Sequence, residues 1–216
     1  LNGVEHGSAS ANPVAAALAE TVSTYNLPKD ALVAMAEARS FDLYDDPMPS
    51  LNDLEGYAGE TSSALTQLAC LVLNDGNDPG TAETAGHAGV AYALSGLMRS
   101  LPWHAARGQM YLPRDLLERH GVDPQTVHRG ETTPQLLAAL TEMRGHVRHH
   151  LDRVRAHVGD IPPSIAPAFL PLALVEPMLK RMEKPGADPL KTPVEMSQLR
   201  RQWILWRAAR KSGAAI

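Results

Sequence analysis

Apolar residues recur three and four positions apart along most of the chain, the spacing of one face of an α-helix. Asn12-Pro13 reads as an N-cap with proline at the first helical position, ahead of an Ala-rich stretch to Tyr25. A second helix restarts at Leu27-Pro28-Lys29-Asp30, runs through Val33, Met35 and Ala38 towards Tyr44, and ends before Pro47 and Pro49. Ser50 with Asp53 resembles a capping box, and Leu54, Tyr57, Ala58, Thr61, Leu65, Leu68 and Val72 then follow at helical spacing. Asn74-Asp75-Gly76-Asn77-Asp78-Pro79-Gly80 is a loop.

The segment Thr81 to Ser100 is almost uncharged on every side and rich in Gly, Ala and Ser, so it predicts a central buried helix. Its small residues permit a close approach by a neighbouring helix or a long apolar ligand. An irregular stretch is expected from Pro102 to Pro113, then a short helix from Arg114 to His120 closed by Gly121. Thr133-Pro134 opens the longest helix, with Leu140, Met143, Val147, Leu151, Val154 and Val158 as its apolar stripe, and Pro162-Pro163 stops it. Ser164 to Met182 reads as a helix bent by Pro167, Pro171 and Pro177. A last helix runs from about Pro193 to Arg210 and carries Trp203 and Trp206. The pattern is that of an all-α bundle in a single domain over 1–216.

Composition narrows the function classes. One cysteine, Cys70, excludes a disulfide framework and a Cys-rich zinc site. No apolar run reaches the roughly 18–20 residues of a membrane span. Residues 1–98 carry 13 acids and 2 bases, and residues 99–216 carry 11 acids and 18 bases. The split implies that the halves attract each other or that the second half faces an anionic partner. Nucleic acid is not that partner on this reading, because the isoelectric point is 6.1 and aromatics do not interleave the basic residues. A cytoplasmic protein, with peripheral contact to a membrane surface, is the expected setting.

Four groups of residues carry candidate chemistry. Asp42, Asp45 and Asp46 lie in one run; Asp42 and Asp46, four apart on a helix face, are placed to share a Mg²⁺ against diphosphate oxygens, or else form a solvated acidic helix end. His146, His149, His150 and His157 read as a basic solvated face, crowded by arginines. Arg99, Arg107, Arg114 and Arg119 surround the 103–113 loop, where guanidinium forks suit phosphate oxygens or pair with the acidic first half. Ser100 and His104 lack the third group and the glycine elbow of a nucleophilic pair.

The run Met98 to Pro113, with its Gly108-Gln109-Met110-Tyr111-Leu112-Pro113 core, resembles the second signature of the squalene/phytoene synthase family. Gly56-Tyr57 to Thr61-Ser62-Ser63 is similar to an upstream helix of that family. The likeness extends from about Pro13 to Arg210. It implies the isoprenoid-synthase helical fold, with this chain as the C-terminal two-thirds to three-quarters of a longer protein whose N-terminal helices, and first aspartate motif, precede Leu1. It also implies that Arg99, Arg107, Tyr111, Tyr57, Ser62 and Ser63 bind the substrate.

The departures from that pattern bear on activity. The family's two motif aspartates fall on Ser100 and His104, and its asparagine falls on Gly96. A hydroxyl, an imidazole and no side chain replace three hard oxygen ligands, and Mg²⁺ demands near-octahedral oxygen ligation. No cofactor is therefore expected, and Mg²⁺ only if the chain is active. Tyr57 to Ser63, the Arg99 to His104 segment and Phe169-Leu170-Pro171 resemble a non-catalytic branch that includes a mitochondrial complex I assembly factor, here in the style of a bacterial relative. Two readings stay open: a degenerate member that binds a prenyl diphosphate, an anionic lipid or a protein partner, and a working transferase that joins two prenyl diphosphates head to head.

Overall fold

The computed structural model describes residues 12–44, 46–192 and 194–210. Helix α1 spans Pro13–Thr24, and the Asn12 side chain accepts from the backbone N–H groups of Val14 and Ala15. Helix α2, Lys29–Ala38, tightens into a 3₁₀ turn over Arg39–Leu43. The Ser50 hydroxyl caps α3, Leu51–Ala58, by accepting from the Asp53 N–H. A π turn over Gly59–Ser63 joins α3 to α4, Ala64–Leu73, without a break in the helical backbone. Helix α5 spans Ala82–Arg99.

The 102–113 stretch departs from the irregular structure expected of it. Leu101–Ala106 forms helix α6, with Pro102 in its first turn, where a missing N–H costs nothing. Helix α7, Arg114–His120, ends on Gly121 at φ +66°. Asp123 then caps a further short helix, α8, Pro124–His128, too short to show a helical periodicity. Helix α9, Pro134–Ala156, is capped by Thr133 as expected. It stops at Ala156, ahead of Pro162-Pro163, and a 3₁₀ turn follows over Val158–Asp160. Ser164 to Met182 is not one bent helix: its prolines hold Ala166–Leu174 in a 3₁₀ conformation, and α10 covers Val175–Met182. Helix α11 spans Gln198–Arg210, a shorter run than expected; Pro193 lies outside the described residues. The described residues contain no strand.

Helix α5 is the axis of the bundle, with α9, α4, α10 and the π turn packed around it. Ala85, Ala91 and Leu94 are wholly buried there, as are Leu136, Val147 and Val154 of the α9 stripe. The small residues of α5 serve the neighbouring helix at one point. A Cβ at Gly89 would lie 2.2 Å from the Ser63 backbone nitrogen, so only glycine admits the π turn so close. The Ser63 hydroxyl fixes that contact by donating to the Gly86 carbonyl at 2.6 Å. At Gly96 a Cβ would meet nothing within 4 Å. That end of α5 opens onto a cleft.

Candidate functional site

Three side-chain groups stand out, and the first is built on Asp42. The 3₁₀ turn at the end of α2 brings its carboxylate against α3 and the segment before α7. Asp42 Oδ1 accepts from the Tyr57 hydroxyl at 2.7 Å and from the Tyr111 hydroxyl at 2.8 Å, and Oδ2 accepts from Arg39 at 3.3 Å. Arg39 also donates to the Tyr57 hydroxyl at 2.9 Å. Phe41 sits edge-on to both tyrosine rings, and the His104 ring lies 4.6 Å from Tyr111. Burial, and then the hydrogen bond to Asp42, raise both phenols: Tyr111 is pushed up to about 12 and Tyr57 further still. Burial, and then the Arg107 charge, hold His104 below the ordinary histidine value. Its Nδ1 is buried without a partner.

The second is a cleft of about 530 Å³ between the end of α5, α10 and the start of α11. Arg99, Ser100, Gly96 and Trp103 line one side, and Gln198 and Arg201 line the other. Glu195 is the one carboxylate on its wall among the described residues, set against two arginines. Arg99 is exposed and has no carboxylate partner among the described residues.

The third is a chain of imidazoles between α3, α5 and α9. His150, 7% exposed, places Nδ1 2.8 Å from His87 Nδ1 and Nε2 3.2 Å from Glu55 Oε1. His87 Nε2 faces Glu83 at 4.0 Å. This corrects the solvated-face reading for one of the four histidines: His149 is exposed and His146 and His157 are half-buried, but His150 points into the bundle, and its partners lie 63 and 95 residues away. No periodicity within α9 carries that information.

The sequence-predicted site residues divide among these places. Tyr57 and Tyr111 meet at Asp42, with His104 beside them. Arg99 and Ser100 line the cleft. Arg107 is exposed beside His104. Ser62 is half-buried in the π turn, and the Ser63 hydroxyl is committed to Gly86. The helix-face argument for Asp42 and Asp46 fails, because the turn ends at Leu43 and Asp46 is exposed beyond it; Asp45 lies outside the described residues. Both Asp42 oxygens are already taken. Arg201 and Gln198, which complete the cleft, had no signal in the sequence, since nothing local places the start of α11 across the cleft from α5.

The squalene/phytoene synthase family pattern matches residues 1–207. The chain belongs to that family. Within it, the chain is 30% identical over 176 residues to NADH dehydrogenase (ubiquinone) complex I assembly factor 6 of Rattus norvegicus, across 82% of this chain and 53% of that protein. It is 26% identical over 197 residues to presqualene diphosphate synthase of Zymomonas mobilis, across 89% of this chain and 66% of that enzyme. The chain spans about half the length of the assembly-factor relatives it matches. A dehydrosqualene synthase structure superposes with a TM-score of 0.78 at 17% identity, over 95% of this chain and 72% of that one. Squalene synthase HpnC from Alicyclobacillus acidocaldarius gives 0.64 at 20%, over 93% and 66%. These structures establish the squalene synthase-like helical fold.

Gly96, Ser100 and His104 supply no carboxylate, so these three positions by themselves do not fit a Mg²⁺ ion. Ser100 lines the cleft while His104, one turn later, turns to Tyr111, and Gly96 offers no ligand. Among the described residues no three His, Cys, Asp or Glu side chains converge on a common point.

Proposed function

We propose that the chain is a non-catalytic member of the squalene/phytoene synthase family that holds a prenyl diphosphate, or another lipid with an anionic head, in the Arg99–Arg201 cleft and acts through a protein partner. The observation that carries this reading is the lining of the cleft. Arg99 and Arg201 line it as partners for phosphate oxygens, and Ser100 stands beside Arg99 where the family resemblance would put an aspartate. An arginine fork binds an anion without a metal, but diphosphate departure without a Lewis acid lacks its main charge stabilisation. The likeness to assembly factor 6 supports a role in assembly rather than synthesis.

The test incubates the full-length protein with farnesyl or geranylgeranyl diphosphate and Mg²⁺. No diphosphate release above a protein-free control is expected. Release would overturn the reading in favour of a transferase, which the likeness to presqualene diphosphate synthase supports. Calorimetry with the same ligands should show binding that Arg99→Ala weakens by about tenfold or more. Absence of binding leaves a pure interaction scaffold. Ser100→Asp with His104→Asp should make binding Mg²⁺-dependent if the two positions match the family motif.

A further inference from the structure

All three tryptophans of the chain are on its surface: Trp103 is 59% exposed, Trp203 55% and Trp206 56%. A large aromatic ring in water forgoes the burial that usually holds it in the core. Helix α11 explains two of them. Ala208 is buried, Ile204 and Leu205 are half-buried, and this face packs on the 3₁₀ segment Ala166–Leu174. Leu199, Trp203 and Trp206, spaced four and three apart, form a second apolar stripe on the outward side. The helix holds four arginines, at 200, 201, 207 and 210, and no acid. Arg207 lies over the Trp203 ring at 5.3 Å and Arg210 over the Trp206 ring at 4.7 Å. None of the four has a carboxylate partner among the described residues.

We infer that the outward face of α11 docks on an anionic lipid bilayer, lying in the interface plane. Tryptophan settles at headgroup depth, where its ring meets acyl chains and its N–H meets water. Arginines on the same face reach lipid phosphates, and a cationic face without acids is attracted by a negative surface potential. No helix of the described residues is long and apolar enough to cross a membrane. Trp203 and Trp206 do not line the cleft, which makes this inference separable from ligand binding there.

Flotation with vesicles tests it, using phosphatidylcholine alone and phosphatidylcholine with one part in four of phosphatidylglycerol. The protein should float with the anionic vesicles, release in high salt, and lose tryptophan fluorescence to brominated lipid in a Trp103→Phe background. Arg207→Ala with Arg210→Ala should weaken binding by roughly tenfold or more. Trp203→Ser with Trp206→Ser should weaken it similarly while leaving helical circular dichroism and prenyl diphosphate binding unchanged, since both rings are solvent-facing. Equal binding to neutral and anionic vesicles, or binding that neither double variant reduces, overturns the inference. So does self-association that the tryptophan variant abolishes, because a second copy would then occupy the face.

Discussion

Asp42 shows how one carboxylate can organise a neighbourhood. A hydrogen bond to a charged acceptor contributes about 1.5–3 kcal/mol, and here one oxygen takes two of them. Tyr57→Phe and Tyr111→Phe should each destabilise by roughly 1–3 kcal/mol, read by chemical denaturation. Absorbance titration of the phenols gives an independent check: two of the five tyrosines should ionise late, and Asp42→Ala should bring both back towards the ordinary value near 10. His87 and His104 titrate in the other direction. Burial lowers both, with the facing His150 second for His87 and Arg107 second for His104. The unfolded chain therefore takes up protons first, at its unperturbed value near 6.5. Stability is full above that pH and falls as the pH drops below it, until the folded-state values are reached. Denaturation midpoints at about pH 7.5 and about pH 5.5 should show this loss, with a flatter profile for His104→Gln.

At the scale of elements, legibility followed locality. Asn12-Pro13, Ser50 and Thr133-Pro134 each announce a helix through a cap formed within three residues, and each cap is where the sequence put it. Asp123-Pro124 carries the same signal, but its helix of five residues is too short to show a periodicity. The α5 segment was legible as central and buried from its lack of charge, whereas what its glycines admit was not. The answer depends on a π turn 23 residues upstream of Gly86. Two substitutions separate the roles of these glycines. Gly89→Ala drives a methyl into the Ser63 backbone and should cost about 3 kcal/mol or more. Gly96→Ala meets open space within a helix and should stabilise by up to about 1 kcal/mol. Thermal melting of the pair checks both signs.

Across the whole molecule, the acidic-then-basic division of the chain turns out to be only partly reconciled by contact. Arg153 reaches Glu83, and His150 reaches Glu55, across the division. The Arg148 pairs with Glu176 and Glu183, and the Arg119 pairs with Asp115 and Glu142, stay within the basic half. Arg99 and the α11 arginines are left facing outward, which is where the cleft and the proposed bilayer contact lie. The family fold could be read from a motif of a few residues, but this distribution of free charge needed the packing of α11 on the rest.

The Asp42 cluster also has a schedule. Arg39 precedes Asp42 by 3 residues, whereas Tyr57 and Tyr111 follow it by 15 and 69. At roughly 5–20 residues per second, a ribosome adds Tyr111 about 3–14 seconds after Asp42. During that interval the carboxylate can be held by Arg39 and then Tyr57, but not enclosed. The clasp is thus finished only when the segment carrying Tyr111 has been made, and α2 and α3 wait, half-fastened, for it to arrive.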